Sequence, residues 1–287
     1  MAASYRKDEK MKITKQVISM MLGIFMIIEL LIPIVTVDAA IATNVTIVNN
    51  RDGTITYKYK NPDAKKTKVL VIKGNTQYQY ELKKGNNTVR IPLTEGNGNY
   101  KILLCKKIKG SQYAVLNQKS VALKLTPTYK AFRPTHIIIS FKANNAVIRM
   151  AKTLTKKSKT KEAKINAVWK YVYKNFKYDY AKQRKLSSFT SQYIPNVNTT
   201  YKSKKGICYD ISSVFASMLR SLGIETKLVT GYSKKVTGYH AWNKVYNSQT
   251  KKWYIIDCTY DLCMYRAKKK VSMKKKVKDY KTEVYQY

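Results

Sequence analysis

Cysteine is scarce in this chain, with four residues among 287, far below the density of a scaffold stapled by disulfides. Folding must therefore rest on buried apolar cores. Histidine is scarcer still, with two copies, His136 and His240. Cys258 and Cys263 with a histidine have poor spacing for zinc, and no motif implies a cofactor. Long apolar runs are missing too. The clean stretch from Val17 to Ile28, interrupted afterwards by Glu29 and Pro33, is shorter than the roughly 18 to 20 residues of a spanning helix. Acidic residues are few: 16 Asp and Glu stand against 56 Lys and Arg, for a formal charge of +40.

What is present begins with a basic segment. Arg6, Lys7, Lys10, Lys12 and Lys15 precede the apolar run, Met11 offers a second start, and Val37-Asp38-Ala39-Ala40 supplies small residues for cleavage. This pattern predicts that residues 1–40 are a signal peptide or an N-terminal membrane anchor, and so secretion or display at a bacterial cell surface. The positive charge lies almost wholly beyond that segment. A protein so charged concentrates near polyanions, which outside a cell are anionic wall polymers or a membrane surface rather than nucleic acid. The lysines are spread throughout and accompany many Asn, Tyr and Ile residues, so a general compositional bias is the competing explanation.

Residues 41–126 alternate with the period of strands. Ile55, Tyr57 and Tyr59 share one face, as do Tyr78, Tyr80 and Leu82, then Val89, Ile91 and Leu93. Val69-Leu70-Val71-Ile72 reads as a strand buried on both faces. Turn residues recur about every ten positions, which predicts an all-β immunoglobulin-like sandwich. Residues 127–135, with Pro127 and Pro134, read as a linker. From there the period changes. Ile165, Val168, Trp169, Val172 and Phe176 form one helical stripe, and Ile207, Ile211, Val214, Phe215, Met218 and Leu222 another, stopped by Gly223. A shorter helix is expected over 145–155. Residues 181–205 show no sustained period and read as a surface wrap. Strands are expected over 227–232, 239–246 and 253–258, followed by a basic tail, 264–287, that is either a final strand or a frayed end. Residues 136–287 are thus an α+β domain of helices packed on an antiparallel sheet.

Three side chains in this domain suit nucleophilic catalysis. Cys208 falls in the first turn of a helix, where unpaired N–H groups and the dipole favour a thiolate; the neighbouring Asp210 opposes it. His240 and Asp257 lie on two expected strands and share a face if the intervening turn has an even number of residues. Asp257 would then orient His240 toward Cys208. Trp242, beside His240, is a candidate substrate contact or a core residue. His136 lacks comparable neighbours and reads as a surface or packing residue.

These segments resemble the transglutaminase-like superfamily: Gly206-Ile207-Cys208, Leu219-Arg220-Ser221-Leu222-Gly223-Ile224, Gly231-Tyr232, His240-Ala241-Trp242-Asn243, and Trp253 to Thr259. The resemblance covers about residues 165 to 261, with Cys258 standing where the family often has proline. It implies a papain-like core in which Cys208 is the nucleophile, His240 the base and Asp257 its orienter. It further implies attack on amide bonds of proteins or peptides through a thioester, resolved by hydrolysis or acyl transfer. The Cys208 N–H is a natural oxyanion donor, and Gln192, from the segment before the nucleophile, is the candidate second donor. The alternative is a non-catalytic cell-surface binding protein on the same scaffold.

Overall fold

The computed structural model describes residues 34–35, 42–62, 66–187 and 191–287. The signal or anchor expected over 1–40 lies outside them, apart from Ile34 and Val35. Among the described residues no helix is long and apolar enough to cross a membrane. The chain divides into two compact units. One takes the described residues up to 137 together with 191–194; the other takes 138–187 and 195–287.

The first unit is all β. Its strands are β1 (Ile34–Val35), β2 (Thr46–Asn49), β3 (Thr54–Asn61), β4 (Thr67–Lys73), β5 (Thr76–Leu82), β6 (Gly85–Pro92), β7 (Gly98–Lys107) and β8 (Tyr113–Leu123). They form two sheets, of order β2-β3-β6 and β1-β8-β7-β4-β5. Every pairing is antiparallel except that of β1 with β8. Alternation explains the register. β3 buries Ile55, Tyr57 and Tyr59 while Lys58 and Lys60 point to solvent. β4, interior to its sheet, buries Val69, Leu70 and Val71 in succession, as its continuous apolar run predicts. Each such side chain, fully buried, contributes about 1.5–3 kcal/mol. Asn49 of β2 donates to the Ala122 carbonyl of β8 at 2.8 Å, tying one sheet to the other.

The segment expected as a linker packs against this unit. Thr128–Phe132 makes a short 3₁₀ turn that buries Ala131 and Phe132. Gly53 permits the approach: its φ is +90°, and a Cβ there would lie 2.6 Å from Ala131.

The second unit begins with α1 (Ala146–Thr155) and α2 (Lys161–Asn175), then β9 (Lys177–Tyr178), α3 (Tyr180–Ser187), α4 (Val197–Ser203) and β10 (Lys205–Gly206). It continues with α5 (Cys208–Ser221), β11 (Thr226–Ser233), β12 (Val236–Asn247), β13 (Lys252–Ile256), α6 (Cys258–Arg266) and β14 (Thr282–Gln286). The four-stranded antiparallel sheet runs β13-β12-β11-β14. Thr160 caps α2 by accepting from the Ala163 N–H, and the predicted stripe of α2 is buried. α5 goes further than its stripe requires. Every residue from Cys208 to Arg220 is buried; Ser212 donates to the Ala241 carbonyl and Ser213 to that of Ile138, while the Ser217 hydroxyl has no hydrogen-bond partner among the described residues. A helix enclosed on all sides is the axis on which the sheet and the other helices pack.

Two expectations for this unit are corrected. Residues 181–205 do not wrap irregularly but hold most of α3, with α4 and β10 after it. These helices bury only Gln183, and only Val197 and Thr200, too few apolar side chains to register as a period. The strand expected over 253–258 stops at Ile256, because Asp257 becomes the N-cap of α6, accepting from the Tyr260 N–H at 2.9 Å. Of the two alternatives for the basic tail, the final strand is the one found: α6 runs to Arg266 and β14 adds an edge strand beside β11.

Candidate active site

Cys208 is the first residue of α5, and its placement depends on the residues around it. Gly206 leaves room for Asp210, since a Cβ at 206 would sit 2.6 Å from the Asp210 Cβ. Asp210 reaches back to accept from the Ile207 N–H at 3.0 Å, half of a capping box. Its carboxylate also meets Lys182 Nζ of α3 at 2.9 Å. The acid that opposes a thiolate at Cys208 is thus neutralised by a lysine from the segment in which sequence showed no period.

His240 and Asp257 are brought together by sheet register. Asn247 pairs with Lys252 and Asn243 with Ile256, so the connecting turn holds four residues and the even-number condition is met. His240 Nε2 lies 2.8 Å from Asp257 Oδ2. A carboxylate only accepts, so Nε2 carries the proton and Nδ1 is left to face a thiol; Cys208 is among the groups that raise the imidazole. Both residues are fully enclosed. Burial by itself lowers the imidazole pKa; the Asp257 charge and hydrogen bond, then Cys208, outweigh it and push His240 up to about 10. Burial likewise raises Asp257, but His240, the Tyr260 N–H and Tyr280 hold it below its ordinary value.

The other thiols are unsuited to attack. All four cysteines are free, and burial drives Cys105 and Cys263 up to about 12 and Cys258 well above its usual value. A protonated buried thiol is inert. Cys208 alone combines a helix N-terminus with an imidazole.

Trp242 lies two residues along β12 from His240. It is wholly buried and its ring stacks on the imidazole, with centroids 6.1 Å apart at 28°. It clusters with Val229, Ile255 and Tyr280. Gln192 belongs to the β unit, where its carboxamide accepts from the Glu81 N–H at 3.0 Å and donates to the Gln79 carbonyl. His136 is buried in the same unit.

Sequence reasoning missed several residues. Asn243 donates to the carbonyls of Ser212 and Lys227, locking α5 to the sheet beside His240. A cavity reaches the His240 ring, lined by Tyr178, Tyr180, Gln183, Thr237 and Thr259 among others. The Thr259 hydroxyl is buried there without a hydrogen-bond partner among the described residues. Tyr280, from the tail, donates to Asp257 Oδ2 at 2.9 Å. Position along a helix could have pointed to Thr259, two residues past an N-cap; nothing local could have pointed to Tyr280.

Residues 148–258 match the family model of the transglutaminase-like superfamily. This stretch of the second unit is similar to a transglutaminase-like core. The UPF0252 protein MJ1282 of Methanocaldococcus jannaschii is 34% identical over 92 residues, 30% of this chain and 26% of that protein. The chain therefore matches about a quarter of that relative's length. Among solved structures, a cysteine protease candidate from Cytophaga hutchinsonii aligns over 78% of this chain and 69% of its own, at 14% identity and a TM-score of 0.40. The periplasmic domain of TgpA from Pseudomonas aeruginosa aligns over 78% and 75%, at 13% identity and a TM-score of 0.38. The matched region runs from within α1 through β13 to the first residue of α6. Asp257 is inside the matched region, and the segment carrying Tyr280 is beyond it.

Proposed function

We propose that this protein is an exported thiol enzyme that attacks amide bonds of proteins or peptides through Cys208, His240 and Asp257. The observation that carries this reading is the 2.8 Å contact of His240 Nε2 with Asp257 Oδ2, which leaves Nδ1 for the thiol at the head of α5. In the proposed reaction the Cys208 proton passes to Nδ1 and the sulfur adds to the amide carbon. The oxyanion faces the Cys208 N–H, which in the first helical turn has no carbonyl four residues back in the helix. The amine leaves with the proton from Nδ1, and a thioester remains. Water or an acceptor amine then adds to the thioester carbon, its proton passing to Nδ1, and the thiolate departs. The Gln192 carboxamide is occupied by Gln79 and Glu81 of its own unit.

The test is the pH dependence of Cys208 alkylation by iodoacetamide in the parent and in His240→Ala. Rapid labelling well below pH 8 that is lost in His240→Ala supports the enzyme; slow labelling indifferent to His240 refutes it. The full burial of Cys208 is the one feature favouring the second reading, a non-catalytic binding protein on this scaffold, and slow labelling is its expected result. Mass spectrometric capture of an acyl adduct on Cys208 from cell-envelope extracts would identify the donor.

The strand order β2-β3-β6 beside β8-β7-β4-β5 supports reading the first unit as an immunoglobulin-like spacer or docking module. The charge of +40 supports adsorption to anionic wall polymers or a membrane surface, with retention that falls steeply as salt rises.

A further inference from the structure

The carboxylate that orients His240 has a second side-chain donor. Asp257 Oδ1 accepts from the Tyr260 N–H of its own helix, while Oδ2 accepts both from His240 Nε2 at 2.8 Å and from the Tyr280 hydroxyl at 2.9 Å. Tyr280 is 1% exposed, and its ring packs edge-on against Trp242, centroids 5.2 Å apart. Trp242 in turn stacks on His240. One aromatic chain thus runs from the phenol to the imidazole on one side of the pair, and one shared oxygen joins them on the other.

The phenol is delivered by a segment with no other evident task at the site. The Lys275 N–H donates to the Ile255 carbonyl at 2.9 Å, and Lys275 Nζ pairs with the buried Asp261. Val277–Asp279 then makes a short turn, the Asp279 carbonyl accepts from the Lys234 N–H, and β14 pairs with β11. Anchors before and after residue 280 fix where its ring lies.

We propose that Tyr280 is a positioning residue for this site: its phenol, brought in by the segment after the transglutaminase-like core, fixes the Asp257 carboxylate and tempers its pull on His240. The inference rests on the proposed roles of Cys208, His240 and Asp257. Two donors on one carboxylate oxygen share its charge, so each weakens the hold of that oxygen on the other. Removing the phenol leaves His240 facing a more basic carboxylate. The other titratable groups around Asp257 are Cys208 of α5, Tyr260, Cys258, Asp261 and Cys263 of α6, and Lys275. Among the described residues only His240 and Tyr280 give it a side-chain hydrogen bond.

The experiment follows the rate of Cys208 alkylation by iodoacetamide against pH in the full chain, for the parent, Tyr280→Phe, Asp257→Asn and the double variant. Tyr280→Phe keeps the ring on Trp242 and removes the hydroxyl. The acid limb of its profile is expected to move to lower pH by about half a unit to one unit, and the same change is silent in the Asp257→Asn background. Replacing Tyr280 by 3-fluorotyrosine, a more acidic phenol of nearly the same shape, moves the limb the opposite way and serves if Tyr280→Phe does not fold. A limb that stays in place in both replacements overturns the proposal. So does a uniform loss of rate at every pH, the mark of a merely structural tyrosine, or an equal shift with and without Asp257. If Asp257→Asn and His240→Ala also leave the profile unmoved, the proposed roles of the three residues fall too; if those two move it and Tyr280→Phe does not, only the positioning role falls.

Discussion

The acid two residues from Cys208 decides how the thiol is treated electrostatically. Asp210 is wholly buried, bonded to the Ile207 N–H and paired with Lys182, whose side chain is 29% exposed. Lys182→Met removes the counter-charge and leaves the carboxylate enclosed. The expected cost is about 1–3 kcal/mol of stability, read by urea unfolding, together with slower Cys208 labelling at a fixed pH near neutrality. Gly206 works by absence of a side chain: Gly206→Ala drives a methyl into the Asp210 Cβ and is expected to cost about 1–3 kcal/mol, seen as a lowered Tm. Motif reading named Gly206 and Asp210 beside the nucleophile. It assigned Asp210 an adverse charge because its counter-ion comes from 28 positions earlier in a separate helix.

At the scale of elements, legibility follows the number of apolar side chains an element commits to a core. α2 and α5 each bury a long stripe, and both are evident as periods of 3.6. α3 and α4 commit one and two residues and leave no period, though Asn196, which accepts from the Thr199 N–H, is a local start signal for α4. α6 was hidden differently. Its N-cap is Asp257, a residue whose other oxygen faces His240, so an apolar strand runs straight into a helix with only that cap between them. Thr160 at the head of α2 has no second role. Thr160→Ala is expected to cost about 1 kcal/mol, a Tm decrease of a few degrees, with Cys208 labelling unchanged.

For the whole molecule, the enclosed His240–Asp257 pair couples stability to pH from both sides. His240 is raised above its unfolded value to about 10. Its contribution is complete below about pH 6.5 and is lost as pH rises through about 10. Asp257 is held below its ordinary value; its contribution is present above about pH 4 and is lost as pH falls through the folded pKa. Urea midpoints are therefore expected to hold level between about pH 4.5 and 6 and to fall in both directions. His240→Gln, which keeps a donor to Asp257 but does not titrate, is expected to flatten the alkaline fall between pH 8 and 10.5. An alkaline limb identical in parent and variant would place the coupling in other groups.

Residues close in sequence were enough to give the strands of the first unit, the two long helices, and the three segments holding Cys208, His240 and Asp257. Each of these depends on a short-range property: alternation, a helical stripe, or a side chain beside its own backbone. Parity of the β12–β13 turn even limited which face His240 and Asp257 share. What folding alone decided involves partners far apart along the chain. Lys182 neutralises Asp210, Asn243 fastens α5 to the sheet, and Tyr280 joins His240 on one oxygen of Asp257. No local period encodes such contacts, because the chain between the partners leaves their meeting to the packing of the whole unit.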